Sequence, residues 1–152
     1  MDHELFDPVI TVAGEPYEMG RQHGRLLAER IHRAVAGMRG QVGAEPYAAS
    51  LAGLERTVAY CRLQAPELVS EMEGIAAGAG THFDDIFRLN AHLDLTNWKR
   101  LVWEQAPAAG LEACSSHAVA GPSGVLLGWN GDDWEGWLGC GAVVRGLPNG
   151  GE

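Results

Sequence analysis

Apolar residues recur at helical spacing over most of the first hundred positions, after one short β-rich run at Val9–Ala13. Gly14 ends that run, and from Pro16 to Gly40 an apolar residue returns every three or four positions. This pattern predicts a long amphipathic helix with proline in its first turn. The same spacing predicts three further helices: Ala48–Gln64, Glu67–Ala77, and one that runs from an N-cap at Thr81 to about Asn97.

Beyond Cys114 the pattern changes to short strands separated by turns. Ser116–Ala120 and Val125–Asn130 flank a Gly-Pro-Ser-Gly turn, which predicts a β-hairpin. Gly139–Arg145 predicts a third strand. Helices followed by meandering strands indicate an α+β fold. Because so few strands follow, we expect residues 1–152 to be a single truncated domain whose sheet is incomplete.

Two glycines, Gly20 and Gly24, lie four positions apart inside the first predicted helix. Each costs about 1 kcal/mol of helix stability relative to alanine. We therefore expect another element to approach the backbone closely on that face. His23 lies between them, and we interpret it as a packing or surface residue.

Composition and charge restrict the classes of function. The chain is 46% apolar and 20% charged, as in soluble globular proteins, and its net charge of −9 argues against a nucleic-acid or anionic-membrane partner. Its three cysteines, Cys61, Cys114 and Cys140, are odd in number and far apart, which argues against a disulfide framework and a zinc site. The N-terminus has no signal-peptide pattern, and we expect a cytoplasmic protein.

Other chemistries have weaker support. Lys99 is the sole lysine and lacks an obvious desolvating pocket, so a Schiff-base mechanism is disfavoured. His23, His82 and His117 are not arranged in the i, i+4 order of zinc hydrolases, which disfavours a metal site. We expect no metal and no bound cofactor.

Cys114 stands where the helical pattern gives way to strands. Its local composition alone favours a small buried thiol at the start of a core strand. The alternative is that Cys114 is a nucleophile. The predicted hairpin brings it near Asn130, Asp132 and Asp133, which are candidate supporting residues together with Ser115. A thiol nucleophile needs a base. Strand alternation directs His117 to the face opposite Cys114, so histidine is a poor candidate for that base.

A cysteine at a chain terminus needs no histidine, because its own α-amino group has a reference pKa near 8 and can accept the proton. Cleavage between Ala113 and Cys114 would generate that terminus. The Cys114 thiol would attack the Ala113 carbonyl, and water would hydrolyse the thioester. A carboxylate such as Asp132 would then hold the freed amine.

Four blocks of sequence resemble, in order, the acyl-coenzyme A:6-aminopenicillanic acid acyltransferase family. The blocks are Gly14–Gly24; Glu71–Gly80 followed by Asp84–Ile86 and Leu89–Asn90; Cys114–Ser116; and Leu126–Trp134. The resemblance implies an N-terminal-nucleophile hydrolase fold, an αββα sandwich matured by autocatalytic cleavage. Residues 1–113 would form the pro-segment or α-chain, and residues 114–152 the start of the β-chain.

By the same resemblance, Cys114 is the nucleophile and Asp132 supports its amine. The implied activity is amide hydrolysis or acyl transfer on a small acylated amine, with a coenzyme A thioester as a conceivable acyl donor. The family has Gly where Ala113 stands, Thr-Thr where Ser115–Ser116 stands, and further strands and site residues downstream. We therefore expect this chain alone to be weak or inactive.

The alternative interpretation is a non-catalytic remnant or interaction module. It would bind a complementary chain, or itself, through the unfinished sheet.

Overall fold

The computed structural model describes residues 7–44, 51–91, 115–121, 124–130 and 139–148, which form an α+β structure that is mostly helical. The α+β class expected from the sequence is thus confirmed. The elements are β1 (Val9–Gly14), α1 (Pro16–Leu26), α2 (Ala28–Val42), α3 (Leu51–Gln64), α4 (Pro66–Ala79), α5 (helical residues 83–91), β2 (Ser115–Gly121), β3 (Gly124–Asn130) and β4 (Val143–Pro148).

The long helix predicted from Pro16 to Gly40 is two helices, so its predicted continuity is wrong. Leu27 departs from helical geometry, with φ −116° and ψ 20°, between α1 and α2. Its side chain is buried. The helices on its two sides pack differently: α1 packs extensively on α4, whereas α2 has much less contact with α4 and its Arg39 pairs with Asp85 of α5. Tertiary packing therefore overrides the continuous apolar pattern.

Helix α4 ends at Gly80, which adopts the left-handed conformation with φ 67°. The backbone N–H groups of Gly80 and Thr81 both donate to the Ala76 carbonyl. Helix α5 then begins with the His82 carbonyl, which accepts from the Asp85 and Ile86 N–H groups. The cap position is accordingly His82, one residue later than the predicted Thr81, whose N–H closes α4.

The described strands form two separate pairs. Strands β2 and β3 are the predicted antiparallel hairpin. Strand β1 pairs in parallel with β4, with Val9 opposite Val143 and Gly14 opposite Pro148. The third strand begins at Val143, four residues after the predicted Gly139, and it pairs with the N-terminal run. This parallel ladder links residues on both sides of the Ala113–Cys114 bond.

Helices α1 and α4 lie so close that no side chain fits between them. A Cβ added at Gly20 would lie 3.0 Å from the Ile75 amide nitrogen and closer still to the Glu71 carbonyl, and one at Gly24 would lie 2.8 Å from the Ala79 nitrogen. Gly74 and Gly78 of α4 meet the α1 backbone in the same way; their partners are Tyr17, Arg21 and Arg25. Residues later in α1 contact residues later in α4, so the two helices run parallel. The close approach expected at Gly20 and Gly24 is confirmed.

A second interface of α4 is built from large side chains. Leu54 and Val58 of α3 form a buried cluster with Phe87 and Ala91 of α5, against which Met72 of α4 packs. Cys61 and Phe83 also pack on this cluster. The Phe83 and Phe87 ring centroids are 5.8 Å apart, a favourable distance for tilted aromatic rings.

Candidate functional site

The hairpin pairs two of the predicted site residues. Ser115 is the register partner of Asn130, at the end of the ladder opposite the Gly121–Gly124 pair. Cys114 immediately precedes Ser115 in the sequence, and Asp132 follows Asn130 by two residues. The predicted Ala113, Cys114, Asp132 and Asp133 lie outside the described residues. The structure therefore brings together the backbones of the two predicted supporting residues that it describes.

Gln22 of α1 holds the end of β1. Its side-chain Nε2 donates to the Ala13 carbonyl at 2.8 Å, and its Oε1 accepts from the Ala13 N–H at 3.2 Å. The amide thus supplies both bonds that a neighbouring strand would otherwise make. This contact fixes the first helix against the strand that precedes it.

Arg30 of α2 hydrogen-bonds to the segment before β4. Its Nη1 donates to the carbonyls of Gly139 at 2.8 Å and Gly141 at 2.6 Å, and it lies 3.4 Å from Asp7 Oδ1. These contacts join α2 to the residues that precede β1 and to those that precede β4. Together with the Val143 N–H, which donates to the Pro8 carbonyl at 2.9 Å, they set where β4 begins.

A buried charge cluster connects α2 and α5. Asp85 is 2% exposed, and its Oδ2 accepts from Arg39 Nη2 at 2.7 Å, while its Oδ1 lies 4.0 Å from Arg88 Nη1. Arg88 is itself buried. A buried carboxylate requires such partners, because desolvation without them is very costly. Asp85 belongs to the second sequence block, and its role here is to anchor two helices.

A partly open cavity of about 250 Å³ lies between α1, α2, α5 and the segment that leads into β4. We call it the His23 cavity. Its lining consists of His23, Leu27, Arg30, Ile31, Ala34, Leu89, Cys140, Ala142 and Val144. Among the described lining residues, one imidazole, one guanidinium and one thiol therefore share the cavity, and the other side chains are apolar.

Burial lowers the pKa of His23 below its ordinary value of 6.5, because desolvation disfavours the charged imidazolium. The ring is thus neutral at pH 7, with one nitrogen as donor and the other as acceptor. Within the described ranges its ring nitrogens have no hydrogen-bond partner. The sequence predicted packing for His23 and did not predict that Cys140 lines the same cavity, since the two lie more than a hundred positions apart.

Another cavity, of about 320 Å³, lies between α3 and α5 and is lined by Leu54, Glu55, Val58, Ala59, Arg62, Phe83 and Asp84. The Arg62 guanidinium carbon lies 5.8 Å from the Phe83 ring centroid, and its Nη2 donates to Glu73 Oε1 at 2.9 Å. Arg62 and Glu73 are both substantially exposed to solvent. These contacts therefore lie at the solvent-exposed edge of this cavity.

Among the residues that the structure describes, no three or more His, Cys, Asp and Glu side chains are grouped so that they could hold a metal ion. In the same ranges, no helix has the length and apolar character needed to cross a membrane. Comparison with known protein families and with curated proteins finds no match for this chain. The family resemblance of its four sequence blocks therefore stays a prediction.

Proposed function

We propose that the protein is a cysteine amidohydrolase or acyltransferase with the αββα fold of N-terminal-nucleophile hydrolases, and that it acts on a small acylated amine. Cys114 is the nucleophile, exposed by cleavage after Ala113. Asp132 holds the α-amino group. Ser115, Asn130 and Asp133 support the site.

The hairpin register is the observation that carries this proposal. Ser115 and Asn130 are paired across the ladder. Cys114 directly precedes Ser115 and Asp132 follows shortly after Asn130, so the chain extends towards both residues from the same end of the hairpin. A nucleophile and the carboxylate that orients its amine have to be neighbours in space. The observed register supports that arrangement, whereas a slipped register would separate the two segments.

The packing of α1 on α4 adds support. Gly20 and Gly24 belong to the first sequence block, and Gly74 and Gly78 to the second. Each pair meets the backbone of the other helix. Two blocks far apart in sequence thus have one joint structural explanation, which favours reading them as parts of one pattern.

In the proposed reaction, the Cys114 sulfur attacks the carbonyl carbon of the substrate and its proton passes to the α-amino group. The amine leaves with that proton, and a thioester remains. Water then hydrolyses the thioester, or a second amine takes the acyl group. A coenzyme A thioester would enter this scheme as an acyl donor, that is, as a substrate.

Intact-mass spectrometry of the denatured protein tests the proposal. The wild-type chain should separate on incubation into residues 1–113 and 114–152, whereas Cys114→Ala should stay whole. Cys61→Ala is the matched control, because it removes a thiol that packs in the α3–α5 cluster, and it should still be cleaved.

Under native conditions the two pieces should elute together, since the β1–β4 ladder and the Arg30 bonds join them. Release of free amine from a panel of N-acylated small amines is then measured on the cleaved protein, and only weak release is expected from this chain alone. A wild-type mass that stays unchanged on long incubation would contradict the proposal.

That unchanged mass would favour the second candidate, a non-catalytic interaction module. One observation speaks for it: Val9 of β1 and Val143 and Val144 of β4 are exposed, at 73%, 54% and 40%. Parallel strands are usually covered on both faces. A concentration-dependent oligomer in sedimentation experiments, together with the intact mass, would support this candidate.

A further inference from the structure

We propose that the His23 cavity is a binding site for a small neutral molecule with an apolar body and one amide or alcohol group, and that the His23 side chain recognises that group. The inference does not depend on Cys114. It rests on the size of the cavity, the chemistry of its lining and the hydrogen-bonding state of its polar groups.

The size and lining set the apolar part of the ligand. The volume is about 250 Å³, and the walls include Leu27, Ile31, Ala34, Leu89, Ala142 and Val144. An apolar cavity of roughly 150 Å³ already holds a benzene molecule. The His23 cavity therefore has space for one aromatic ring, or a short alkyl chain, that carries a small polar substituent.

His23 sets the polar part. Its ring lines the cavity, and its nitrogens have no hydrogen-bond partner within the described residues. Because burial keeps the imidazole neutral, it offers one donor and one acceptor. Primary amides and alcohols carry both functions as well, so either group can satisfy this half-buried ring, for which the described residues supply no partner.

Arg30 does not turn this cavity into an anion site. Its Nη1 already meets the Gly139 and Gly141 carbonyls, and the Asp7 carboxylate lies beside it. Nη1 is thus committed to the segment before β4, and Asp7 opposes the charge of the guanidinium. Because Asp7 offsets the one cationic side chain among the described lining residues, a carboxylate ligand would lose its hydration and gain little from an ion pair.

Cys140 provides a readout, because its thiol lines the same cavity. The experiment uses full-length Cys114→Ala protein, which makes the result independent of any chain cleavage. N-Ethylmaleimide modifies the thiols, and peptide mass spectrometry follows Cys140 and Cys61 separately. The probes are benzamide, toluene and benzoate, which have similar apolar bodies and differ in the polar group.

Benzamide should slow modification of Cys140 and leave that of Cys61 unchanged. It should act at a concentration roughly two- to tenfold lower than toluene, the range expected for one neutral hydrogen bond, and benzoate should protect least. In His23→Phe, benzamide and toluene should protect equally. In Ala34→Phe, which fills the cavity, neither should protect.

Three results would overturn the proposal. Absence of protection by every probe would exclude the site, and equal protection by benzamide and toluene in the protein that retains His23 would exclude recognition by the imidazole. Protection that persists in Ala34→Phe would show that the probes act elsewhere. Thermal unfolding checks that each variant is folded. If Ala34→Phe does not fold, Ala142→Leu is used to fill the same cavity.

Discussion

Helix α4 packs on its neighbours in two contrasting ways. Towards α1 it presents Gly74 and Gly78, and the two backbones touch directly. Towards α3 and α5 it presents Met72, which packs on a cluster of large side chains that includes Leu54 and Phe87. One interface thus consists of backbone atoms, and the other consists of side chains that fill a volume.

This difference implies different tolerances to substitution. Side chains can change rotamer, so a cluster such as that around Leu54 adapts in part to a change of volume. A backbone carbonyl pressed on a glycine Cα has no such freedom, and contacts of this kind, Cα–H···O, recur where helices approach closely. The α1–α4 interface should therefore fix the register of two helices, while the cluster supplies apolar burial.

The largest effect is expected at the glycine interface. Gly20→Ala should destabilise the protein by about 4 kcal/mol, the upper range for one substitution, because the new Cβ meets the Glu71 and Ile75 backbone. Gly40→Ala is the matched control, since nothing lies within 4 Å of a Cβ at that helical position. There alanine should stabilise by up to about 1 kcal/mol. Urea unfolding measures the stability of both variants. Similar effects at the two sites would contradict the claim that the α1–α4 backbone contact does not tolerate a side chain.

The side-chain cluster should respond less strongly. Leu54→Ala leaves a cavity at a residue that is 1% exposed, and we expect a loss of about 3 kcal/mol in the free energy of unfolding. Leu54→Met, which nearly conserves volume, should cost less than about 1.5 kcal/mol. If Leu54→Met were as damaging as Gly20→Ala, the cluster would be as rigid as the backbone interface.

A smaller effect is expected where α1 meets β1. Gln22→Ala removes two hydrogen bonds to Ala13, and we expect a loss of about 1–2 kcal/mol. Gln64→Ala, at an exposed position near the end of α3, is the control and should change the stability by less than about 0.5 kcal/mol. Equal effects of the two variants would mean that the Ala13 contact adds nothing.

The smallest effect concerns His23 and pH. Because burial lowers its pKa in the folded state, the unfolded chain takes up this proton first as the pH falls below 6.5. The contribution of neutral His23 to the free energy of unfolding should be fully present above pH 6.5. It should decline as the pH drops from there through the folded-state pKa. Comparing the pH dependence of stability in wild type and in His23→Gln isolates the contribution of His23. A His23 titration midpoint at or above 6.5 in NMR spectra would contradict it.

The sequence predicted the features that rest on local patterns. The strand at Val9, the hairpin and the helices follow from apolar spacing and turn residues, and the pair Gly20 and Gly24 correctly indicated a close backbone contact. The break at Leu27 was missed, because the apolar pattern continues through it while the packing changes.

Contacts between distant residues were less accessible. The parallel pairing of β1 with β4 joins positions more than 130 residues apart, and no single-sequence pattern specifies such a partner. The His23 cavity is of the same kind, since His23 and Cys140 come together through that pairing and through Arg30. For the candidate site, the sequence indicated the hairpin that pairs Ser115 with Asn130.

The proposal that Cys114 becomes an N-terminal nucleophile is tested most directly by a reagent specific for a cysteine whose own amine is free, such as 2-cyanobenzothiazole. After incubation of the wild-type protein, we expect the label on a peptide that begins at Cys114. Cys114→Ala should give none. Absence of label on the wild type, under conditions where a synthetic peptide with N-terminal cysteine reacts fully, would contradict the proposed function.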